Sequence, residues 1–286
     1  MTIAAPDPNT RKPAYQAPPG SCDAHCHVFG PGEFFPYATA RKYTPPDAPE
    51  KKLRELHDIL GIDRAVIVQA SCHGTDNAAM LDAIAAGDGR YRGVCNADES
   101  FSVSQFDALH AGGIRGVRFN FVKHLGGAPD LEKMRGIVSK VAHLPWHVEL
   151  HFDARDLLEY ERMLDEIPLP VVIDHMGRTP VADGLDQPPF QALLAKLGES
   201  EHLWVKVSGA ERISRDGPPF ADAAPFASAC IEAAPDRVLW GTDWPHPNVS
   251  IMPNDGDLVD LIPQLAPTME MQQRLLVDNP ARLFGF

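Results

Sequence analysis

Ala65-Val66-Ile67-Val68 is an uninterrupted apolar run rich in β-branched residues. A strand apolar on both faces is buried on both, as in a parallel sheet covered by helices. Val171-Val172-Ile173 repeats the pattern. Outward from these two runs, eight strand candidates can be read: Cys22–Val28, Ala65–Gln69, Gly93–Ala97, Gly116–Phe121, His147–Phe152, Val171–His175, Trp204–Ser208 and Val238–Asp243. Between them apolar residues recur at helical spacing, over Leu53–Leu60, Ala78–Ala86, Val103–Ala111, Leu131–Ala142, Ala154–Ile167, Gln191–Leu197, Ala221–Ala234 and Leu258–Leu276. Eight strand–helix alternations favour an α/β protein with a closed (β/α)8 (TIM) barrel. A doubly wound open sheet stays open as an alternative, although no Gly-rich phosphate loop follows the first strand.

The chain of 286 residues has the length of one such barrel. Residues 1–20 are Pro-rich and polar and are expected to form an N-terminal arm, with residues 21–286 as a single catalytic barrel domain. Lys and Arg total 26 against 39 Asp and Glu, a formal net charge of −13. That balance argues against nucleic acid or an anionic membrane surface as partner, because phosphates are repelled at long range. No uncharged apolar run approaches the ~20 residues needed to span a bilayer. The five cysteines are scattered and read as reduced thiols of a cytoplasmic protein. Whether the chain forms a homo-oligomer is left open.

The reactive side chains gather at the C-terminal ends of the strand candidates, the active-site face of a barrel. Asp23-Ala24-His25-Cys26-His27 opens the first strand, and residues two apart on a strand project to one side, so His25 and His27 should project together. His151, Asp174-His175 and Asp243 end the fifth, sixth and eighth. Histidines with a carboxylate suit Zn2+ or a similar divalent ion. Ser71 and His73 are two apart and are expected to line the same pocket. Arg118 and Arg178 fall at strand ends, where with Arg212 they would build a positive pocket that the net charge hides.

Several blocks carry a family likeness: Asp23-Ala24-His25-Cys26-His27-Val28-Phe29, Gly113-Ile114-Arg115-Gly116-Val117-Arg118-Phe119-Asn120, Ile173-Asp174-His175-Met176-Gly177-Arg178 and Trp240-Gly241-Thr242-Asp243-Trp244-Pro245-His246-Pro247. The sequence resembles the amidohydrolase superfamily, and within it the lactonase branch similar to 2-pyrone-4,6-dicarboxylate lactonase. The resemblance implies a (β/α)8 barrel that hydrolyses a small anionic lactone, carboxylated or sulfonated, in aromatic-compound or sugar-acid catabolism. Carried over residue by residue, it implies that His25, His27, His175 and Asp243 are catalytic, with Asp243 as general base. It also implies that Arg118, Arg178, Arg212, Tyr43 and Ser71 hold the substrate's anionic groups.

Two positions depart from that branch: His124 stands where a further substrate-binding arginine is expected, and His151 where a tyrosine is expected. Losing a guanidinium removes a bidentate carboxylate clamp and points to a related lactone. A strand-5 histidine resembles the superfamily members that bind one metal. His25, His27, His151 and Asp243 are then the expected ligands of a Zn2+ or Mn2+ ion, which the chemistry can dispense with. The alternatives are a metal-dependent decarboxylase of the same superfamily, which shares this pattern, and a lactone isomerase.

Overall fold

The computed structural model describes residues 1–286 apart from 124–126 and 128–129. Eight parallel strands form one sheet in sequence order. They are β1 (Cys22–Cys26), β2 (Arg64–Val68), β3 (Tyr91–Cys95), β4 (Ile114–Asn120), β5 (His147–His151), β6 (Val171–Ile173), β7 (Leu203–Lys206) and β8 (Val238–Leu239). The ends of the sheet meet through backbone bonds. The Ala24 N–H donates to Trp240 O (2.8 Å), and the Asp243 N–H donates to His25 O (2.7 Å). Gly241 permits this closure, since a Cβ there would lie 2.5 Å from the His25 nitrogen. The barrel expected from the sequence is therefore formed.

Helices α1 (Glu50–Leu60), α2 (Ala78–Ala86), α3 (Val103–Ala111), α4 (Leu131–Val141), α5 (Leu157–Glu166), α6 (Pro188–Glu199), α7 (Ala210–Ile213) and α8 (Ala224–Ala233) fall between the strands. Their ends follow local chemistry. Ser102 and Gln105 form a reciprocal capping box at α3, Asp130 caps α4, and Gly61 in the left-handed region ends α1. Alternate strand residues separate into two apolar clusters. Ala65, Ile67, Val171 and Ile173 pack with the helices, whereas Val66, Val68, Val172 and Trp204 pack with Phe284. The second cluster, which faces away from the surrounding helices and is closed by Phe284, fills the barrel's lower interior. Each such buried side chain contributes roughly 1.5–3 kcal/mol.

The stretch Leu258–Leu276, expected as one helix, is interrupted. It divides into α9 (Asp255–Asp260), α10 (Ile262–Leu265), α11 (Met269–Gln273) and a π-helical turn (Arg274–Asp278) before α12 (Asn279–Phe284). Pro263 and Pro267 account for the first breaks, because proline removes a helix donor and clashes with the preceding turn. In the first twenty residues Arg11 pairs with Asp257 (2.7 Å) and Asp260 (2.5 Å). All five cysteines are free and buried, and among the described residues no helix is long and apolar enough to cross a membrane.

Candidate active site

His25 lies on β1 and His27 just beyond it, and their rings stand edge to face with centroids 5.1 Å apart. His175 comes from the turn after β6 and stacks obliquely on His25 at 4.6 Å. That turn is unusual: His175, Met176, Gly177 and Arg178 follow one another with φ between 51° and 60°. Left-handed backbone costs roughly 1–2 kcal/mol per non-glycine residue. Here it turns His175 and Arg178 into the pocket in place of a continuing strand. Gly209, opposite, has no Cβ to collide with His175, where one would lie 2.9 Å from Nδ1.

Asp243 is the meeting point. Its Oδ1 lies 3.2 Å from His27 Nε2 and 3.7 Å from His25 Nε2, and its Oδ2 lies 3.9 Å from His175 Nε2. The Arg212 guanidinium donates to Oδ2. Burial alone would raise the Asp243 carboxyl, but the adjoining Arg212 guanidinium outweighs it and holds the group well below the usual carboxylate range. Burial also pushes the His25 and His175 imidazoles down, so both stay neutral. The four residues expected to be catalytic are brought together.

Beneath them lies a buried ionic network. Arg118 on β4 is in register with Glu149 on β5. It reaches Asp174 at 2.7 Å and Glu149 at 3.3 Å. Lys206 on β7 bonds Glu149 and lies 3.7 Å from Asp174. Two cations thus face two carboxylates. Breaking such a buried set typically costs ~3–5 kcal/mol because a bare charge remains. The His25 Nδ1 touches the network on both sides, 3.2 Å from Lys206 Nζ and 3.3 Å from Asp174 Oδ1. Glu149 and Lys206 were absent from the sequence expectation. The signal that could have found them is a charge within an otherwise apolar strand, in His147-Val148-Glu149-Leu150 and Leu203-Trp204-Val205-Lys206.

Above the cluster opens a cavity of about 470 Å3. Its walls include the expected Tyr43, Ser71, Arg118, His151, Arg178 and Arg212, together with Arg41, Lys42 and Lys123. Six basic side chains against Asp243 make this wall locally positive on a protein of net charge −13. Arg178 also donates to Asp153 (3.1 Å). His151 lies at the end of β5 with its ring against His175, centroids 5.5 Å apart. Burial and the nearby Arg118 keep it neutral.

His73 lies elsewhere. Ser71–His73 is a 3-10 turn, so the alternation that placed Ser71 and His73 on one side does not apply. The His73 Nε2 accepts from the Gly30 N–H (3.1 Å), and its Nδ1–H donates to Pro36 O (3.2 Å). It fastens the long excursion between β1 and α1 and is not among the cavity walls. His124, the other expected substrate contact, lies outside the described residues.

The donor types suit a divalent ion. Donor atoms of His25, His175 and Asp243 lie within 4.8 Å of one another, and the His25 Nε2 is buried without a hydrogen-bond partner. The His27 Nδ1–H donates to Val68 O (2.8 Å), which aims Nε2 at Asp243 Oδ1. Two acceptors 3.2 Å apart are held by a proton or a cation between them. Of the four expected ligands, neither His27 nor His151 joins such a group among the described residues, and His175 stands in it instead.

The family model described as Amidohydrolase matches residues 22–286. A Comamonas testosteroni 2-pyrone-4,6-dicarboxylate hydrolase is 49% identical over 96% of this chain and 93% of its own. A Hydrogenophaga intermedia 4-sulfomuconolactone hydrolase is 43% identical over 94% of this chain and 89% of its own. Among solved structures, an Acinetobacter baumannii protein described as a probable 2-pyrone-4,6-dicarboxylic acid hydrolase with citric acid bound superposes with a TM-score of 0.83. It is 30% identical over 93% of this chain and 100% of that one.

Proposed function

We infer, from the premise that this chain belongs to the amidohydrolase family, that it is a hydrolase opening the ring of a small anionic lactone. One observation carries the reading. A buried carboxylate, Asp243, sits at the focus of three imidazoles at the bottom of a basic cavity. Relatives that act on a dicarboxylate and on a sulfonate support an anionic ring substrate, as does the citrate of the Acinetobacter protein.

Hydrolysis needs a water deprotonated as it attacks and a carbonyl oxygen stabilised as it becomes an oxyanion. Asp243 is ionised and placed to accept the water proton, and it returns that proton to the ring oxygen as the C–O bond breaks. A positioned base contributes ~10²–10⁴-fold. His25 and His175, whose Nε2 atoms flank Asp243, would donate hydrogen bonds to the developing oxyanion, while the His27 Nε2 faces Asp243 itself. Arg212 holds the base in place, and Arg178 meets an anionic substituent of the ring. One divalent ion, Zn2+ or Mn2+, would be held by His25, His175 and Asp243 with His27 alongside, and would supply Lewis-acid polarisation and a more acidic water. His124, where a guanidinium was expected, removes a carboxylate clamp and so favours a lactone related to the pyrone dicarboxylate.

The test is to incubate the protein with 2-pyrone-4,6-dicarboxylate and 4-sulfomuconolactone, following lactone absorbance and acid release and measuring metal content on the same sample. Ring opening with one acid equivalent per turnover is expected. Carbon dioxide release without ring opening would instead return the decarboxylase reading.

A further inference from the structure

The basic side chains around the cavity are not equivalent. Arg118 is engaged by Asp174 and Glu149, Arg212 by Asp243, Arg178 by Asp153, and Lys123 by Asp156 and Glu159. Arg41 and Lys42 have no carboxylate partner among the described residues, and residues 124–126 and 128–129 include no acid.

Arg41 is also held in place. Its Nε donates to Thr44 Oγ1 (2.8 Å) and its Nη1 to Ala38 O (2.9 Å). The segment itself is tied to the barrel by the Ala38 N–H on Cys72 O (2.8 Å). The guanidinium is therefore held at the cavity wall with no hydrogen bond on Nη2 among the described residues, and Lys42, Tyr43 and Ser71 line the same cavity. A cation already neutralised by its own protein gives an incoming anion less Coulomb energy than an unpaired one. A bound anion would also have to share the Arg118 and Arg212 guanidiniums with Asp174 and Asp243.

We propose that Arg41 and Lys42 form a distal anion subsite, which takes the carboxylate or sulfonate farthest from the scissile carbonyl and thereby orients the lactone ring over Asp243. This rests on the lactone-hydrolase reading and deepens it, because it assigns the second anion of a doubly anionic substrate to the rim segment, beside the one that Arg178 meets.

The probe is pyridine-2,4-dicarboxylate, a planar dianion that cannot be hydrolysed, with pyridine-2-carboxylate as the monoanion control, both titrated calorimetrically. Losing a charged hydrogen-bond partner is worth about tenfold or more in affinity. Arg41→Gln and Lys42→Glu should each weaken the dianion by about that factor and leave the monoanion nearly unmoved. Arg41→Lys, which keeps the charge, should stay within about threefold on the scale of an exposed ion pair. With an active lactone the same variants should raise KM and spare kcat. Failure of the dianion to bind the wild type, equal affinity in all variants, or equal loss for both probes would overturn the subsite. If these titrations behave as expected while no lactone is opened, the hydrolase reading falls and the subsite stands.

Discussion

The floor of the cavity and its rim use the same kinds of side chain to different ends. On the floor, Arg118, Lys206, Glu149 and Asp174 neutralise one another and are buried or nearly so. At the rim, Arg41 and Lys42 are exposed cations without a carboxylate partner among the described residues. Depth explains the difference. A charge out of water must be matched, whereas one in contact with solvent can wait for a ligand. The floor fixes geometry, and the rim supplies attraction.

The contrast breaks most sharply at the reacting centre. Asp243→Asn should lower kcat at least ~10²-fold, since it removes the base and keeps the shape. Near-normal turnover in that variant would take Asp243 out of the role. Lys206→Met should cost ~3–5 kcal/mol in chemical denaturation by leaving Glu149 buried and bare, with part regained on adding Glu149→Gln. The equivalent cut at the rim, Lys42→Met, should change stability by no more than ~0.5 kcal/mol. Equal losses at the two places would erase the distinction. Between floor and rim, Arg178→Ala should raise KM for an anionic lactone about tenfold with little change in kcat, and an unmoved KM would leave Arg178 as a partner of Asp153 alone.

A further effect concerns pH. His246 is buried beside Asp255 (3.0 Å) and Glu211 (3.8 Å). Burial would lower its pKa, but the two carboxylates raise it to about 10. The folded state therefore keeps a proton that the unfolded chain releases near pH 6.5. The stabilisation is complete below about 6.5 and is lost as pH climbs toward 10. Denaturation curves across that window should show the decline in the wild type, and His246→Gln, less stable throughout, should lack that component of it.

Much of this was legible in the chain. Apolar strand runs give a buried parallel sheet, and α2 and α3 begin and end where the periodicity places them. Strand ends were less legible. Val171–His175 reads as one extended run, but β6 stops at Ile173 because His175 and Met176 take left-handed backbone. Alternation likewise misplaced His73, since a 3-10 turn has no period of two. Histidines catch attention as candidate ligands, while Glu149 and Lys206 read as isolated charges until register and closure bring them together. Pairing between distant strands is a property of the folded barrel and has no local signature.

The seam between the first and last strands has a consequence for biosynthesis. Asp243, the proposed proton acceptor, hangs from backbone that is bonded to the carbonyl of His25, and this seam depends on an absent side chain at Gly241. Nascent protein still lacking its eighth strand thus holds the histidines and arginines without the proposed base. Turnover should therefore be absent until synthesis has passed that point and the barrel has closed.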